Sequence, residues 1–266
     1  MRELLRETNL VKELRQLIDF VELAHSGLGS AIGTPRLMAA VQMRKKASGE
    51  DERGDYVEQL AKAENFKKIA EAHIERDFEY LYALAVVKIW SVLESSVENI
   101  VLQCLQRPFE CKDLKAINDL RGPLIEFLNA DQDERTEFLF SELKSTTKSA
   151  LKTGVAVFEA LLEPVGMAGG HHEEVRRNIL ELQQTRHVIV HRRGLADRRF
   201  MDRCPWVGAT VGQSLITGRK QFLRYAHAVM LFDIELCQRS YIRACLEVPQ
   251  SLLKGRGDLL EQMSWE

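Results

Sequence analysis

A long stretch without glycine or proline constrains the fold of this chain more than any other feature. It runs from Asp55 to Gln106, and apolar side chains recur in it at every third or fourth position. The recurring positions are Tyr82, Val86, Ile89, Leu93, Val97 and Ile100. This spacing predicts one long helix or two nearly collinear helices. Arg107-Pro108 is expected to end it, because proline disfavours helical geometry in the residue before it.

Helical periodicity also dominates the remainder of the sequence. Further helices are expected over residues 3–25, 114–128, 134–162, 172–193 and 221–247. Glycine and proline at 26–30 and 33–35 predict that the first helix ends there, and a polar segment at 47–54 predicts a second interruption. Gly122-Pro123 predicts a break within the helical region 114–128.

The sequence therefore predicts an all-α fold, a helical bundle with an N-terminal helical extension. Residues 163–170 are expected to form a loop. Glycines among β-branched residues at 207–217 would allow one short β-hairpin. The expected organisation is an N-terminal extension over residues 1–75, a helical domain over 76–250 and a C-terminal tail over 251–266.

The composition is typical of a folded, intracellular protein. Hydrophobic residues make up 45% of the chain and charged residues 29%, unlike the composition of disordered chains. Charges interrupt residues 1–7, where a signal peptide would need an apolar run, and no later run approaches the ~18 uncharged residues of a membrane span. We expect a cytoplasmic protein that does not enter membranes.

Charge and cysteine content limit the possible ligands. The formal net charge of -2 provides no global positive field, so any nucleic-acid-binding surface must be local. The five cysteines include no Cys-x-x-Cys pair that would suggest zinc or redox chemistry. The segment Gly169-Gly170-His171-His172-Glu173-Glu174 lacks a spaced partner for a metal site and predicts a helix start instead. We expect no metal and no cofactor.

Arg186 has an unusual position in the helix expected over residues 172–193. On a helical wheel of about 100° per residue, five apolar side chains fall within about 60° of it. They are Val175, Ile179, Leu182, Ile189 and Val190. A guanidinium in the middle of an apolar stripe is costly, because it cannot be deprotonated and needs hydrogen-bond partners when buried.

Two histidines flank this arginine. His187 and His191 lie one turn apart on one side of the same helix, so their imidazoles can share a site with Arg186 if the helix borders a cleft or a subunit interface. Six arginines and two aspartates lie between Arg186 and Arg203, a local excess of four positive charges. This surplus favours a phosphate-bearing ligand.

Two structural alternatives remain open at this point. Arg186 could form a buried ion pair with Glu94 or Glu98 on the helix that contains Trp90. The β-branched run 188–190 could also form a strand, in which the flanking polar side chains would alternate with it.

The motif Arg186-His187-Val188-Ile189-Val190-His191 resembles the signature of the HEPN superfamily, an arginine followed by a polar residue and, five positions on, a histidine near a helix end. The string 178–194 and the earlier Trp90-Ser91-Val92-Leu93-Glu94 are similar to the branch called RiboL-PSP-HEPN. The resemblance covers residues 77–241. One departure is His187, since asparagine is commoner at that position.

The resemblance implies a HEPN-like bundle and a metal-independent endoribonuclease in which the ribose 2′-hydroxyl attacks the adjacent phosphorus. His191 would transfer protons, Arg186 would stabilise the phosphate charge, and His187 would support them. Substrate binding would involve Arg192, Arg193 and Glu94.

The resemblance further implies a toxin or effector of prokaryotic antiviral defence, with RNA as substrate. Such proteins commonly form homodimers with a composite active site, and an antitoxin or another defence-system protein could be a partner. One alternative is a non-catalytic HEPN-like module that binds RNA or nucleotide or mediates assembly. Another is a purely structural helical protein.

Overall fold

The predicted all-α fold is confirmed by the computed structural model, which describes residues 9–49, 55–106, 115–122, 124–215 and 217–264. Within these ranges every regular element is a helix. The helices are α1 (Asn9–Ser48), α2 (Tyr56–Glu75), α3 (Glu79–Leu105), α4 (Lys115–Asn118), α5 (Leu124–Asn129), α6 (Gln132–Thr147), α7 (Val155–Leu162), α8 (Glu173–Arg192), α9 (Arg198–Arg203), α10 (Arg219–Arg243) and α11 (Gln250–Ser264). Short 3-10 turns lie at Ser149–Leu151, Glu163–Val165 and Pro205–Val207.

The first helix is much longer than the sequence predicts. The expected break at residues 26–30 and 33–35 is wrong, because α1 continues through both segments and even contains Pro35. An internal proline costs a helix about 3 kcal/mol. Here α1 lies along both α2 and α3, and this tertiary packing fixes a helix that local propensity alone would interrupt. Residues 3–8 of the expected first helix lie outside the described residues.

The long glycine-free stretch forms two helices and not one. Asp77 and Phe78 have positive φ values of 48° and 55°, which interrupt the helix between α2 and α3. Phe78 is buried there, and its ring lies 4.1 Å from that of His25 on α1. The expected stop at Arg107-Pro108 lies outside the described residues.

Helix α3 forms the centre of the bundle and contacts α1, α6, α7, α8 and α10. Its buried side chains are Tyr82, Ala85, Val86, Ile89, Trp90, Val92, Leu93, Val97, Ile100, Val101 and Leu105. In the described part of the chain it is the one helix long and apolar enough to cross a membrane by length and composition, with a mean hydropathy of 1.3 over its most apolar window. Core helices meet the same criterion, so the cytoplasmic location stays a prediction.

The region 114–162 is more fragmented than predicted. The expected break near residue 122 is present, since α4 ends at Asn118 and α5 begins at Leu124. The single helix expected over 134–162 is wrong. Lys148 and Gly154 have positive φ values of 49° and 58°, and they separate α6 from α7. A side chain at Gly154 would place its Cβ 3.1 Å from that of Leu180, so α8 packs closely against this turn.

The last part of the chain contains no β-hairpin among its described residues. Residues 194–196 and 212–215 are joined by backbone hydrogen bonds, but only one isolated bridge forms, between Leu195 and Ser214. The residues between them form α9 and a 3-10 turn, because Phe200 and Cys204 are buried against Val188 of α8. The predicted helices 172–193 and 221–247 correspond closely to α8 and α10.

Both ends of the described chain pack on the central helices. Leu10, Leu14 and Val21 of α1 are buried in the same core as residues of α3, α8 and α10. Residues 251–264 of the expected tail belong to α11, which contacts α10. The division at residues 75 and 250 stays a prediction.

Candidate functional site

The C-terminal end of α8 carries most of the candidate residues. Glu173 and Glu174 lie in its first turn and His191 and Arg192 in its last, the charge order that the helix dipole favours. Arg193 caps the helix with a φ of 54°, and Gly194 follows with a φ of 78°. The N–H of Gly194 donates to the carbonyl of Val188 at 3.1 Å, which closes the helix at the residue that the sequence indicates.

Among the described residues, Arg186 is half-buried and has no carboxylate partner. Within the described residues its Nε atom is buried without a hydrogen-bond partner, and its guanidinium forms no ion pair. The two expected acidic partners do not pair with it. Glu98 accepts a hydrogen bond from Lys144 Nζ at 2.6 Å. The half-buried Glu94 forms no side-chain hydrogen bond or ion pair in the described part of the chain. The proposed substrate-binding role of Glu94 stays a prediction.

The side of α8 that bears Arg186 reaches the molecular surface. Val190 lies one turn further along the helix on the same face, and it is 47% exposed. The buried ion-pair alternative therefore does not describe this arginine, and a ligand or a second chain could reach its flank.

The structure brings the two histidines together. The ring centroids of His187 and His191 are 4.9 Å apart and their planes are inclined by 50°. Partial burial lowers the pKa of His187 below its ordinary value of 6.5, and the positive charges of Arg199 and His191 lower it further. His187 is therefore mainly neutral at pH 7. Within the described residues, no hydrogen bond joins either imidazole to Arg186.

The remaining basic residues surround this histidine pair. Arg192 lies 3.4 Å from Asp197, measured from Nε to Oδ2, and its side chain is 59% exposed. Arg193 is exposed at the helix cap. Arg199 on α9 is close enough to influence the titration of His187. An exposed pair such as Arg192 and Asp197 is weak, so Arg192 can exchange its carboxylate for an anionic ligand.

A small second core holds α9 beside the site. Val188, Ala196, Phe200, Cys204 and Ala209 are buried together, separate from the main core. Asp197 caps α9 by accepting from the N–H of Phe200 at 2.8 Å. This packing fixes the arginines of residues 198–203 next to the C-terminal half of α8.

Sequence reasoning missed a buried carboxylate that anchors the same segment. Glu181 on α8 is only 1% exposed. It accepts from Trp206 Nε1 at 2.6 Å, Tyr225 Oη at 2.9 Å and Gln221 Nε2 at 3.1 Å, and it also binds Arg224. These donors offset the cost of burying the charge. One signal was available in the sequence, since Glu181 lies two helical turns before Val188 on the same face.

His171 is part of a second buried cluster that the sequence does not reveal. Its Nδ1 lies 2.5 Å from Glu235 and its Nε2 lies 2.6 Å from Glu159, while Arg239 donates to Glu159 at 2.6 Å. Burial alone would lower the pKa of His171, but the hydrogen bonds to the two glutamates outweigh it and raise the pKa. The predicted helix start is confirmed, because His172 is the N-cap of α8.

The thiols of Cys204 and Cys237 are unreactive because of their surroundings. Burial raises the pKa of Cys204 and that of Cys237 to about 12 in each case. A thiol with such a pKa is protonated near neutrality and is a poor nucleophile and metal ligand. Within the described residues, no group of three or more His, Cys, Asp or Glu side chains is arranged to hold a metal ion. Cys111 lies outside the described residues.

Comparison with known proteins gives no match to a family model and no significant match to a curated protein or a solved structure.

Proposed function

We propose that this protein is a metal-independent endoribonuclease whose active site lies at the C-terminal end of α8. The observation that carries the proposal is the half-buried Arg186, whose Nε lacks a partner in the described part of the chain, on the helix turn next to the paired imidazoles of His187 and His191. An unsatisfied guanidinium nitrogen favours a ligand that accepts hydrogen bonds. The surplus of arginine makes phosphate the fitting acceptor.

The proposed reaction needs few protein groups, because RNA supplies its own nucleophile. The ribose 2′-oxygen forms a bond to the adjacent phosphorus, and the bond from phosphorus to the 5′-oxygen breaks. The products are a 2′,3′-cyclic phosphate and a 5′-hydroxyl. A base takes the proton from the 2′-hydroxyl, an acid gives a proton to the leaving oxygen, and cations stabilise the phosphorane charge.

The geometry supports a division of these roles. The lowered pKa of His187 keeps its imidazole neutral near pH 7, which suits a base, and His191 beside it is the proposed proton donor. Arg186 would bind the scissile phosphate and stabilise its charge. The exposed Arg192 and Arg193 would bind neighbouring phosphates.

A homodimer is part of this proposal. Arg186 and His191 are separated by about 140° around α8 and by about 7.5 Å along its axis, so one chain does not aim both at a single phosphate. A second copy placed against the exposed flank of Val190 would supply its own histidines to the Arg186 of the first. We further propose a cytoplasmic protein that acts in antiviral defence with an inhibitory partner, which rests on the HEPN resemblance.

The direct test is cleavage of single-stranded RNA in the presence of EDTA. We expect the wild-type protein to cleave, and Arg186→Ala and His191→Ala to lose at least about 10²-fold in kcat/KM. Arg176→Ala is the matched control, because Arg176 lies in the first part of α8, has a side chain that is 57% exposed and, among the described residues, forms its ion pair with Glu173. This control should retain wild-type activity.

The outcomes separate the proposed nuclease from its alternatives. Cleavage by wild type with loss in both variants, whose circular dichroism is unchanged, supports the nuclease. RNA binding without cleavage would select a non-catalytic RNA-binding module. If wild type neither binds nor cleaves, and both variants are less stable, Arg186 has a structural role and the proposal is rejected.

A further inference from the structure

Trp206 presents an aromatic ring at the surface beside the first half of α8. Its side chain lies in the 3-10 turn Pro205–Val207, and the residue is 37% exposed. The guanidinium carbon of Arg177 lies 5.1 Å from the centre of the indole ring. An exposed tryptophan beside arginines combines a flat apolar surface with positive charge.

The indole is held rigidly although its ring is exposed. Trp206 Nε1 donates to the buried carboxylate of Glu181 at 2.6 Å. That carboxylate is itself fixed by donors from α10, including Tyr225 Oη at 2.9 Å. The ring orientation is thus determined by an internal hydrogen-bond network, so little conformational freedom would be lost when a planar ligand stacks on it.

The indole contacts α8 about two to three helical turns before the histidine pair. On a wheel of about 100° per residue, Arg177 is only about 40° from His191. Glu181, which holds the indole, precedes His187 by about 9 Å along the helix axis and is turned about 120° from it around that axis. Arg203, three residues before Trp206, also has a buried Nη1 with no hydrogen-bond partner in the described part of the chain. A strand bound at the histidines could therefore continue over Arg203 and Trp206.

We propose that Trp206 is the surface on which a nucleobase of single-stranded RNA stacks, beside Arg177 and about two to three helical turns before the histidine pair. This inference rests on the proposed function for its choice of RNA, but it concerns binding and does not require cleavage. Stacking on a tryptophan is tolerant of base identity, because every base has a π-face. The site would hold the strand without selecting a sequence.

The test measures binding of a 2′-O-methyl RNA octamer, which lacks the attacking hydroxyl and cannot be cleaved. We expect Trp206→Ala to weaken binding by about five- to 150-fold, the range for loss of one stacked base. Trp206→Phe keeps an aromatic ring but loses the hydrogen bond to Glu181, so its binding should lie between that of Trp206→Ala and that of wild type. Because neither substitution changes charge, the salt dependence of binding should stay the same.

An octamer with abasic residues provides the matched ligand control. It keeps every phosphate but lacks bases. Wild type should therefore bind it more weakly than the ordinary octamer, whereas Trp206→Ala should bind the two octamers equally. RNA should also quench the fluorescence of wild type, and the quenched component should be missing in Trp206→Phe. Trp90 is only 4% exposed and reports on the fold. A thermal melt of Trp206→Ala checks that the variant stays folded after Glu181 loses this donor.

The stacking site is rejected if Trp206→Ala binds the octamer as tightly as wild type, or if abasic residues weaken both proteins equally. It is also rejected if wild type does not bind the octamer at all. Cleavage by wild type together with unchanged binding by Trp206→Ala would leave the nuclease intact and reject stacking alone. Stacking without cleavage of ordinary RNA would support the stacking site and reject the nuclease.

Discussion

Two charged side chains of α8 differ in how far their burial is compensated by hydrogen bonds. Glu181 is only 1% exposed, and it accepts hydrogen bonds from three residues of α10 and from Trp206. Arg186 is half-buried, and in the described part of the chain its Nε has no partner. The first pattern is typical of a structural residue, because the donors compensate a permanently buried carboxylate. The second pattern is typical of a side chain that binds a ligand or a second chain.

The pH dependence of RNA cleavage tests the proposed role of His187. Burial and the nearby Arg199 and His191 lower the pKa of His187 below 6.5, and a base must be neutral to act. Activity should therefore rise with pH through this lowered pKa, so the acid limb of the kcat/KM profile should have its midpoint below pH 6.5.

Two comparisons check the assignment of that acid limb. Arg199→Ala removes one of the charges, so the midpoint should move upward. His187→Asn should remove the limb or greatly reduce the rate. A midpoint above 6.5 in wild type, or a limb unaltered in His187→Asn, would show that another group acts as the base.

At the level of helices, ends and breaks follow both local chemistry and packing. The start of α6 follows local rules, because Asp131 and Glu134 form a reciprocal capping box with two bonds of 2.9 Å. The course of α1 does not, because it passes through glycines and Pro35 while it lies along α2 and α3. Local signals are decisive where a segment has few contacts, and tertiary contacts override them elsewhere.

The continuity of α1 can be tested with Gly29→Ala. Gly29 is exposed in the middle of the helix, and an added Cβ would meet nothing within 4 Å. Alanine is favoured over glycine inside a helix by about 0.8–1.0 kcal/mol, so the free energy of unfolding should increase by about that amount. Urea titration followed by circular dichroism would measure the increase. If the chain turned at residues 26–30 instead, the substitution would be neutral or destabilising.

The buried cluster of His171, Glu159, Glu235 and Arg239 links stability to pH. The two glutamates raise the pKa of His171 in the folded protein above the 6.5 of an exposed histidine. The protonated imidazole therefore stabilises the fold fully below pH 6.5, and this stabilisation is lost as the pH rises through the raised pKa. The free energy of unfolding should be lower at pH 8.5 than at pH 6.

His171→Gln is the control for this pH dependence. Its side chain does not titrate, so the loss of stability between pH 6 and pH 8.5 should become smaller. The variant itself should be destabilised by about 3–5 kcal/mol, because the 2% exposed His171 is removed from the buried carboxylate of Glu235 and the half-buried carboxylate of Glu159. Equal pH dependence in the variant and in wild type would assign the effect to other groups.

At the scale of the whole molecule, the proposed active site requires a second chain. Light scattering should give twice the 30.4 kDa mass of one chain at micromolar concentration. Val190→Asp places a charge on the flank of α8 next to Arg186, and we expect it to favour the monomer and to reduce cleavage at least about tenfold. Val57→Asp on α2 is the matched control, since Val57 is 68% exposed and lies on a helix remote in sequence from the site.

These two variants distinguish a composite site from an incidental dimer. A monomeric Val190→Asp protein that still cleaves RNA at the wild-type rate would reject the composite site. A wild-type protein that is only monomeric would reject the dimer itself.

The sequence alone determined the helical class and the position of the candidate site. Apolar side chains at intervals of three and four specify helices whatever they pack against, so α3, α8 and α10 follow directly from their patterns. The same pattern placed Arg186 on an apolar stripe with His187 and His191 on its flank.

Only the tertiary structure decided the contacts between residues distant in the chain. It carried α1 through glycine and proline, left an isolated bridge between Leu195 and Ser214 where a hairpin was expected, and joined Glu181 to Trp206 and Tyr225. It also placed His171 between Glu159 and Glu235, which lie 12 and 64 positions away from it. The physical reason is that periodicity records which face of a helix is buried, whereas the partner of each buried polar group depends on which helices meet.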